Sequence, residues 1–276
     1  MRKLASRLSV AVIAVLLLSQ CASPTIEVTP PAPPVLLAIF AHPDDESTVS
    51  MVLTKYADAG YPVYLAVATD GRLGVSAHAG IPAGDALAEA RVKELDCAGE
   101  KLGIHPPIRF GLHDQLKMGE GLPAHMDQLR ELREQVTKLF ETLRPTAVIT
   151  WGPSGWTGHP DHRLVSDIVT EVFQSRKWDF PAQLYYPAIP TSRVPPNNPI
   201  PLAPVDDSFL TVRVPVSERD YWKAKQAWLC HASQYTPEQV DQLYQALVAG
   251  QQGIAYFQPA IAGVGQPDSL LPKKKR

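Results

Sequence analysis

The sequence predicts an α/β protein with a Rossmann-like open, mostly parallel sheet and helices on both faces. Three observations carry this reading. Short continuous apolar runs alternate with longer amphipathic segments four times between Val35 and Phe173. Runs of that length and composition suit strands buried on both faces. The segments between them close at glycine or proline, as helices do.

Val35–Phe40 (VLLAIF) reads as the first strand, and Glu46–Ala59, ending before Gly60, as the helix behind it. Val63–Ala68 then reads as strand, Ala86–Leu102 as helix, Ile108–Leu112 as strand, and Met126–Leu143, closed by Pro145, as a long helix. Ala147–Trp151 is a fourth strand, followed by a glycine-rich loop and a helix over Arg163–Phe173. Successive strand-loop-helix units of this kind build a parallel sheet. Beyond them, Leu184–Tyr186 and Phe209–Val214 read as strands across a proline-rich loop, and Glu218–Cys230 and Pro237–Ala249 as helices.

The 276 residues are 45% hydrophobic and 20% charged, a globular balance able to bury a core. Basic and acidic side chains number 26 and 28 for a net charge of −2, with no basic stripe to follow a phosphate backbone, so nucleic acid is not an expected partner.

The N-terminus reads as an export signal. Arg2, Lys3 and Arg7 precede an apolar run, Leu8–Leu18, too short to span a bilayer. Leu18-Ser19-Gln20-Cys21 resembles a bacterial lipobox, although Gln20 departs from the small residue usual there. The expected organisation is a signal peptide over residues 1–20, a proline-rich linker lipidated at Cys21 over 21–34, one folded domain over 35–264, and a disordered basic tail over 265–276. An exported chain could also pair Cys97 with Cys230, but two cysteines so far apart in sequence leave buried free thiols as the plainer expectation and a disulfide as the alternative.

Ligands of open parallel sheets bind beyond the carboxyl ends of the strands. Two loops there carry chemistry: Ala41-His42-Pro43-Asp44-Asp45-Glu46 after the first strand, and Gly152 to His162, ending in His159-Pro160-Asp161-His162, after the fourth. His42 and Asp45, three residues apart, can face one ion, and a histidine of the second loop can complete the set. Two imidazoles and one carboxylate leave a tetrahedral zinc one open position for water. Asp44 is placed to take a proton, and the remaining histidine to face a developing oxyanion. In the plainer alternative the acidic residues only cap a helix start. The pairing of two such loops at one sheet edge favours the site. No GxSxG elbow, phosphate loop, dinucleotide fingerprint or HExxH motif competes with it.

The HPDDE and HPDH loops resemble those of the LmbE/PIG-L family of zinc-dependent N-acetylglucosaminyl de-N-acetylases, with the likeness running from Val35 to Arg163 and more weakly to Gln234. The resemblance implies that His42, Asp45 and His162 hold zinc or another divalent ion. It implies Asp44 as general base, His159 as oxyanion stabiliser and Asp161 as the group that orients a histidine. Arg91, three residues before Glu94, and Asp114 would contact substrate, and Thr69-Asp70-Gly71 would shape the site wall. His231 and Gln234 match an element near the metal. Trp156 stands where several members of the family carry a tyrosine, and could stack on a sugar or pack beneath the loop.

The implied activity is removal of an acetyl group from an N-acetylglucosamine-containing glycan, glycolipid or glycoconjugate; the N-terminus separately leads us to expect an enzyme held at the bacterial cell envelope through a lipid anchor, or alternatively secreted. The alternatives are a zinc amidase for a non-sugar acyl amide and a glycan-binding lipoprotein without turnover.

Overall fold

The computed structural model describes residues 32–194 and 202–273. The expected signal peptide, Cys21, most of the proline-rich linker, part of the proline-rich loop and the terminal Lys274–Arg276 lie outside the described residues.

Seven strands form one sheet among the described residues: β1 (Leu36–Phe40), β2 (Val63–Thr69), β3 (Ile108–Leu112), β4 (Ala147–Ile149), β5 (Gln183–Ala188), β6 (Val212–Pro215) and β7 (Ile254–Pro259). Their order is β3-β2-β1-β4-β5-β7-β6. The first five run parallel, and β7 pairs antiparallel with both β5 and β6. The helices are α1 (Ser50–Asp58), α2 (Asp85–Leu102), α3 (Leu122–Leu143), the single turn α4 (Gly155–Gly158), α5 (Pro160–Gln174), α6 (Glu218–Trp228) and α7 (Pro237–Gln251).

The period-two alternation of β1 divides the core. Leu36, Ala38 and Phe40 face a cluster that includes Met51 and Leu53 of α1, Leu95 of α2 and Ala224 of α6. Leu37 and Ile39 face the opposite cluster, with Val136 and Phe140 of α3 and Val165 and Val169 of α5. Both faces of β1 are therefore dry, which is why its sequence reads as an unbroken apolar run.

Beyond shifts of a few residues at element ends, three features differ from the sequence reading. β7 was not legible as a strand, because its pairing joins residues far apart in the chain. The strand expected from Phe209 begins at Val212, since Asp206 accepts the Ser208 N–H and sets Asp207–Phe209 as a turn with Phe209 in solvent. Within the tail expected to be disordered from residue 265, the described residues are instead anchored, with Leu270 and Leu271 buried. The Leu270 N–H donates to the Tyr56 hydroxyl at 2.7 Å and the Arg213 N–H to the Pro267 carbonyl at 2.8 Å. The charged end of the chain masked an apolar pair that completes the core.

Cys97 of α2 and Cys230, just past α6, form a disulfide with Cα atoms 5.8 Å apart. This resolves the alternative the sequence left open, and it ties α2 to the segment that begins at His231. A crosslink spanning 133 residues restricts the unfolded chain strongly. Replacing both cysteines with alanine is expected to lower the unfolding free energy by about 2–4 kcal/mol. Chemical denaturation of the wild type with and without reductant, beside the double variant, checks this. Identical midpoints in all three would mean that the bond contributes nothing.

Candidate metal centre and active site

The strand order reverses between β1 and β4, and the crevice opened there receives the two loops singled out in the sequence. Asp45 is the hub of the first. Its Oδ2 accepts the Ala41 and His42 N–H groups at 3.0 and 2.9 Å and the Trp151 indole N–H at 3.3 Å. Its Oδ1 lies 3.1 Å from His162 Nε2, and Oδ2 lies 3.6 Å from His42 Nδ1. Burial works against charge on Asp45, yet the imidazoles of His162 and His42 hold its pKa well below the usual carboxylate value.

The second loop is set by Gly155 and by the start of α5. Gly155 has φ +62, and a Cβ there would press on Arg163 and on His162 Cβ, so glycine is required. Its carbonyl lies 3.0 Å from His162 Nδ1. That contact makes Nδ1 the protonated nitrogen and turns the Nε2 lone pair toward Asp45. Trp151 stacks on His162 with ring centroids 4.6 Å apart, fixing the plane. His159 caps α5: its Nδ1 accepts the Asp161 N–H at 3.2 Å, which leaves the proton of the neutral ring on Nε2.

Among the described residues, two groups could hold a divalent ion, His42 with His159 and His162, and His42 with Asp114 and Asp161; in each the ligand atoms lie within 4.8 Å of one another. Asp45 adjoins both through His42. The fit to a cation is chemical as well as geometric. His42 Nε2 sits 3.2 Å from Asp161 and 3.3 Å from Asp114, so one imidazole is ringed by three buried carboxylates. Asp161 is fully buried and its Oδ1 has no hydrogen-bond partner among the described residues. Such an excess of buried negative charge needs protons or a cation. Burial disfavours charge on His42, but Asp114, Asp161 and Asp45 override it and hold its pKa well above the usual value. His159 is pushed down, by burial and then by the charges of His42 and His162.

Asp44 faces a different set of partners. Its backbone has φ 99, a left-handed conformation rare for a side chain larger than glycine. Its carboxylate pairs with Arg91 at 3.0 Å, and its charge, more than burial, pushes the Tyr235 pKa up. Burial raises the Asp44 pKa, and the Arg91 charge opposes the rise. Arg91 is itself buried, donating to the Pro43 and Gly71 carbonyls, and a Cβ on Gly71 would collide with its guanidinium.

The residues expected at the site lie near one another, but neither group able to hold an ion is the expected trio His42, Asp45 and His162, and several contacts differ. Arg91, expected to reach substrate, spends its guanidinium on the HPDDE loop, although it borders the same cavity. Asp114, expected to hold sugar hydroxyls, is buried against His42, and its carboxylate accepts the Leu73 and Gln115 N–H groups at 2.9 Å. Trp156 packs with its ring centroid 5.7 Å from that of Trp151 and also lines the cavity. Gln234 donates to the Gly74 carbonyl at the cavity edge, and Thr69 to the Ala41 carbonyl.

Sequence reasoning passed over Glu46, Trp151 and Tyr235. Glu46 is buried beneath Asp44 and accepts from His231 at 2.5 Å; burial disfavours charge on His231, but Glu46 outweighs it and raises the pKa. Tyr235, four residues past His231 on one turn, could have been found only from that spacing.

The fold and the cluster define a class: a Rossmann-like α/β protein with a buried His/Asp metal-binding centre at its topological switch point. Residues 37–173 match the family model described as PIG-L, GlcNAc-PI de-N-acetylase, and the chain belongs to this family. It is 32% identical over 171 residues to a 1D-myo-inositol 2-acetamido-2-deoxy-alpha-D-glucopyranoside deacetylase of Mycobacteroides abscessus, covering 57% of this chain and 61% of that one. The match therefore spans less than two thirds of that relative. Among solved structures, the N,N'-diacetylchitobiose deacetylase of Pyrococcus horikoshii aligns with TM-score 0.61 at 18% identity, over 83% of this chain and 84% of its own. The 4-carboxy-2-hydroxymuconate hydratase GalB of Pseudomonas putida KT2440 aligns equally well, with TM-score 0.61 at 15% identity, over 84% and 98%. At such identities the likeness concerns the fold, which hosts more than one chemistry.

Two predictions follow from these charges. A histidine whose folded-state pKa exceeds its unfolded value stabilises the fold below that value, 6.5 for His42, and the contribution is lost as the pH rises through the folded-state pKa. Metal-free protein should therefore melt at lower temperature as the pH rises past neutrality. A divalent ion requires neutral imidazoles, so its stabilisation should be larger at pH 8.5 than at pH 6. Thermal melts with chelator or with zinc test both trends, and equal stabilisation by zinc at the two pH values would remove His42 from the ligand set. Separately, Arg91→Met withdraws the charge that restrains the Asp44 pKa. The acid limb of the kcat/KM profile should then move to higher pH by about one unit or more; an unmoved limb would mean that Asp44 is not the group titrating.

Proposed function

We propose that this protein is a zinc-dependent N-deacetylase that removes the acetyl group from an N-acetylglucosamine-containing glycan, glycolipid or glycoconjugate. The observation that carries the reading is the division of labour inside one cavity. A ligand cluster lies on one side, and Asp44, with partners of its own, lies on the other. The family of the chain and the amino-sugar substrate named for its curated relative support the substrate class.

His42, Asp45 and His162 are the assigned ligands, since the His162 contact to Gly155 frees Nε2 to coordinate. Zinc there would supply a Lewis acid for the amide carbonyl and make water acidic enough to ionise near neutral pH. Asp44 accepts the water's proton and delivers it to the leaving nitrogen; its raised pKa suits both transfers. His159 faces the carbonyl oxygen as a neutral ring whose Nε2–H donates as negative charge develops, because its Nδ1 is occupied by the Asp161 N–H. Asp161 orients His42 from 3.2 Å. The products are acetate and a free amine.

Export with lipidation at Cys21 remains part of the proposal. Its support is the basic head, the apolar run and the Leu18-Ser19-Gln20-Cys21 stretch, together with a disulfide of the kind that persists in oxidising compartments. The substrate would then belong to the envelope or be imported.

The test is acetate release from a panel of N-acetylglucosamine conjugates, before and after chelation and zinc return, with Asp44→Asn alongside. Release should require metal, and Asp44→Asn should lower kcat about 10²–10⁴-fold while still binding zinc. Undiminished turnover in Asp44→Asn would refute its role. Metal binding without acetate from any sugar would point to another acyl amide or to glycan binding alone.

A further inference from the structure

Within the HPDDE loop only Asp44 takes a left-handed backbone, with φ 99 and ψ −18. Its N–H donates at 3.0 Å to Glu46 Oε2, two residues on. The other oxygen of that carboxylate, Oε1, accepts the His231 Nε2–H at 2.5 Å. Glu46 is 1% exposed and His231 not at all. One sealed carboxylate therefore bridges the strained residue and a histidine 185 positions further along the chain.

His231 is fixed from several directions. Its N–H donates to the Trp228 carbonyl at 3.1 Å, and its carbonyl accepts the Gln234 and Tyr235 N–H groups at 3.0 Å. The Cys97–Cys230 bond ties the residue before it to α2, and Glu94 of α2 accepts the Ser233 N–H and hydroxyl at 2.6 and 2.7 Å. Nδ1 has no hydrogen-bond partner among the described residues, so the contact with Glu46 is the one hydrogen bond of the ring. Stability alone does not account for such a pair. Well-packed apolar side chains often fill the place of a buried ion pair with equal or better stability. They could not accept the Asp44 N–H. Without that acceptor a buried donor would be left unpaired, and the backbone would lose what keeps it left-handed.

We infer that Glu46 and His231 are positioning residues for the base: Glu46 holds the Asp44 backbone through its N–H, and His231 holds Glu46. The inference rests on the reading of Asp44 as the base of an amide hydrolase, and it carries that apparatus beyond the family-matched residues 37–173. Both side chains are sealed from solvent, so they act through Asp44, which lines the cavity, and touch no substrate themselves.

Four variants of the zinc-loaded protein test it, assayed on whichever N-acetylglucosamine conjugate the wild type hydrolyses. His231→Gln sets an amide N–H at the reach of Nε2, whereas His231→Asn carries the same amide one methylene short. Glu46→Gln keeps an oxygen for the Asp44 N–H, and Glu46→Met removes it. His231→Asn and Glu46→Met should lower kcat about 10²-fold, the loss that follows misplacement by an ångström, with KM and zinc affinity unchanged. The two glutamine variants should retain most of the activity, and the Asn/Met double variant should be no worse than either single one, since both act through one contact chain. Exchange of the Asp44 amide hydrogen, followed by NMR, needs no turnover and should quicken in His231→Asn and Glu46→Met alone. It also decides the matter if His231→Asn and Glu46→Met prove unstable in thermal melts, because a glutamine variant that folds with an unprotected Asp44 amide would overturn the chain of contacts. An unchanged kcat in folded His231→Asn, or a fall in zinc affinity that matches the fall in kcat, would overturn it as well. If the wild type releases acetate from no conjugate, the deacetylase reading fails, and amide exchange alone then judges the positioning: quickened exchange upholds it, unchanged exchange overturns it.

Discussion

A single buried carboxylate organises the site. Asp45 accepts two consecutive backbone N–H groups of its own loop and the indole of Trp151 from the end of β4, so it joins the two strands between which the sheet reverses. Its other oxygen meets His162 from the second loop. Without that charge, three donors would be buried unpaired and the two loops would lose their shared partner. The crowding of Asp45, Asp114 and Asp161 around His42 is tolerable only with a compensating positive charge, which makes the cluster a place for a cation rather than a set of helix caps.

A second ring of contacts holds Asp44 apart from that cluster. Asp44 has a left-handed backbone, and its carboxylate pairs with Arg91. Backbone strain of this kind costs about 1–3 kcal/mol and persists only where the surroundings enforce it. Here the enforcement is visible: Arg91 grips the Pro43 and Gly71 carbonyls, and Glu46, under the same turn, is fixed by His231. The Cys97–Cys230 bond secures the residue before His231 to the helix that carries Arg91 and Glu94, and Glu94 in turn accepts from Ser233. The disulfide therefore connects to the Asp44 turn through two short paths, far from where a stability argument alone would place its importance.

Chemistry and selectivity occupy different parts of the chain. The ligand cluster and Asp44 fall within the family-matched segment, whereas Tyr235 and part of the cavity wall come from the residues after it. A hydratase and a deacetylase align with this fold to the same degree. What the fold supplies is the switch-point crevice; what lines it decides the reaction and the substrate.

The sequence by itself determined the parallel half of the sheet, because strands buried on both faces must be apolar throughout and helices between them must be amphipathic. It also determined which residues meet at the crevice, since every strand of such a sheet delivers its following loop to the same edge. Tertiary structure alone decided what each residue touches. That Arg91 braces a loop, that Asp114 crowds His42, that Cys97 meets Cys230, that β7 enters between β5 and β6, and that Leu270 and Leu271 seal the core all follow from contacts between segments far apart in the chain. Local pattern records burial and backbone preference; it carries no trace of which distant partner satisfies a given charge or covers a given face.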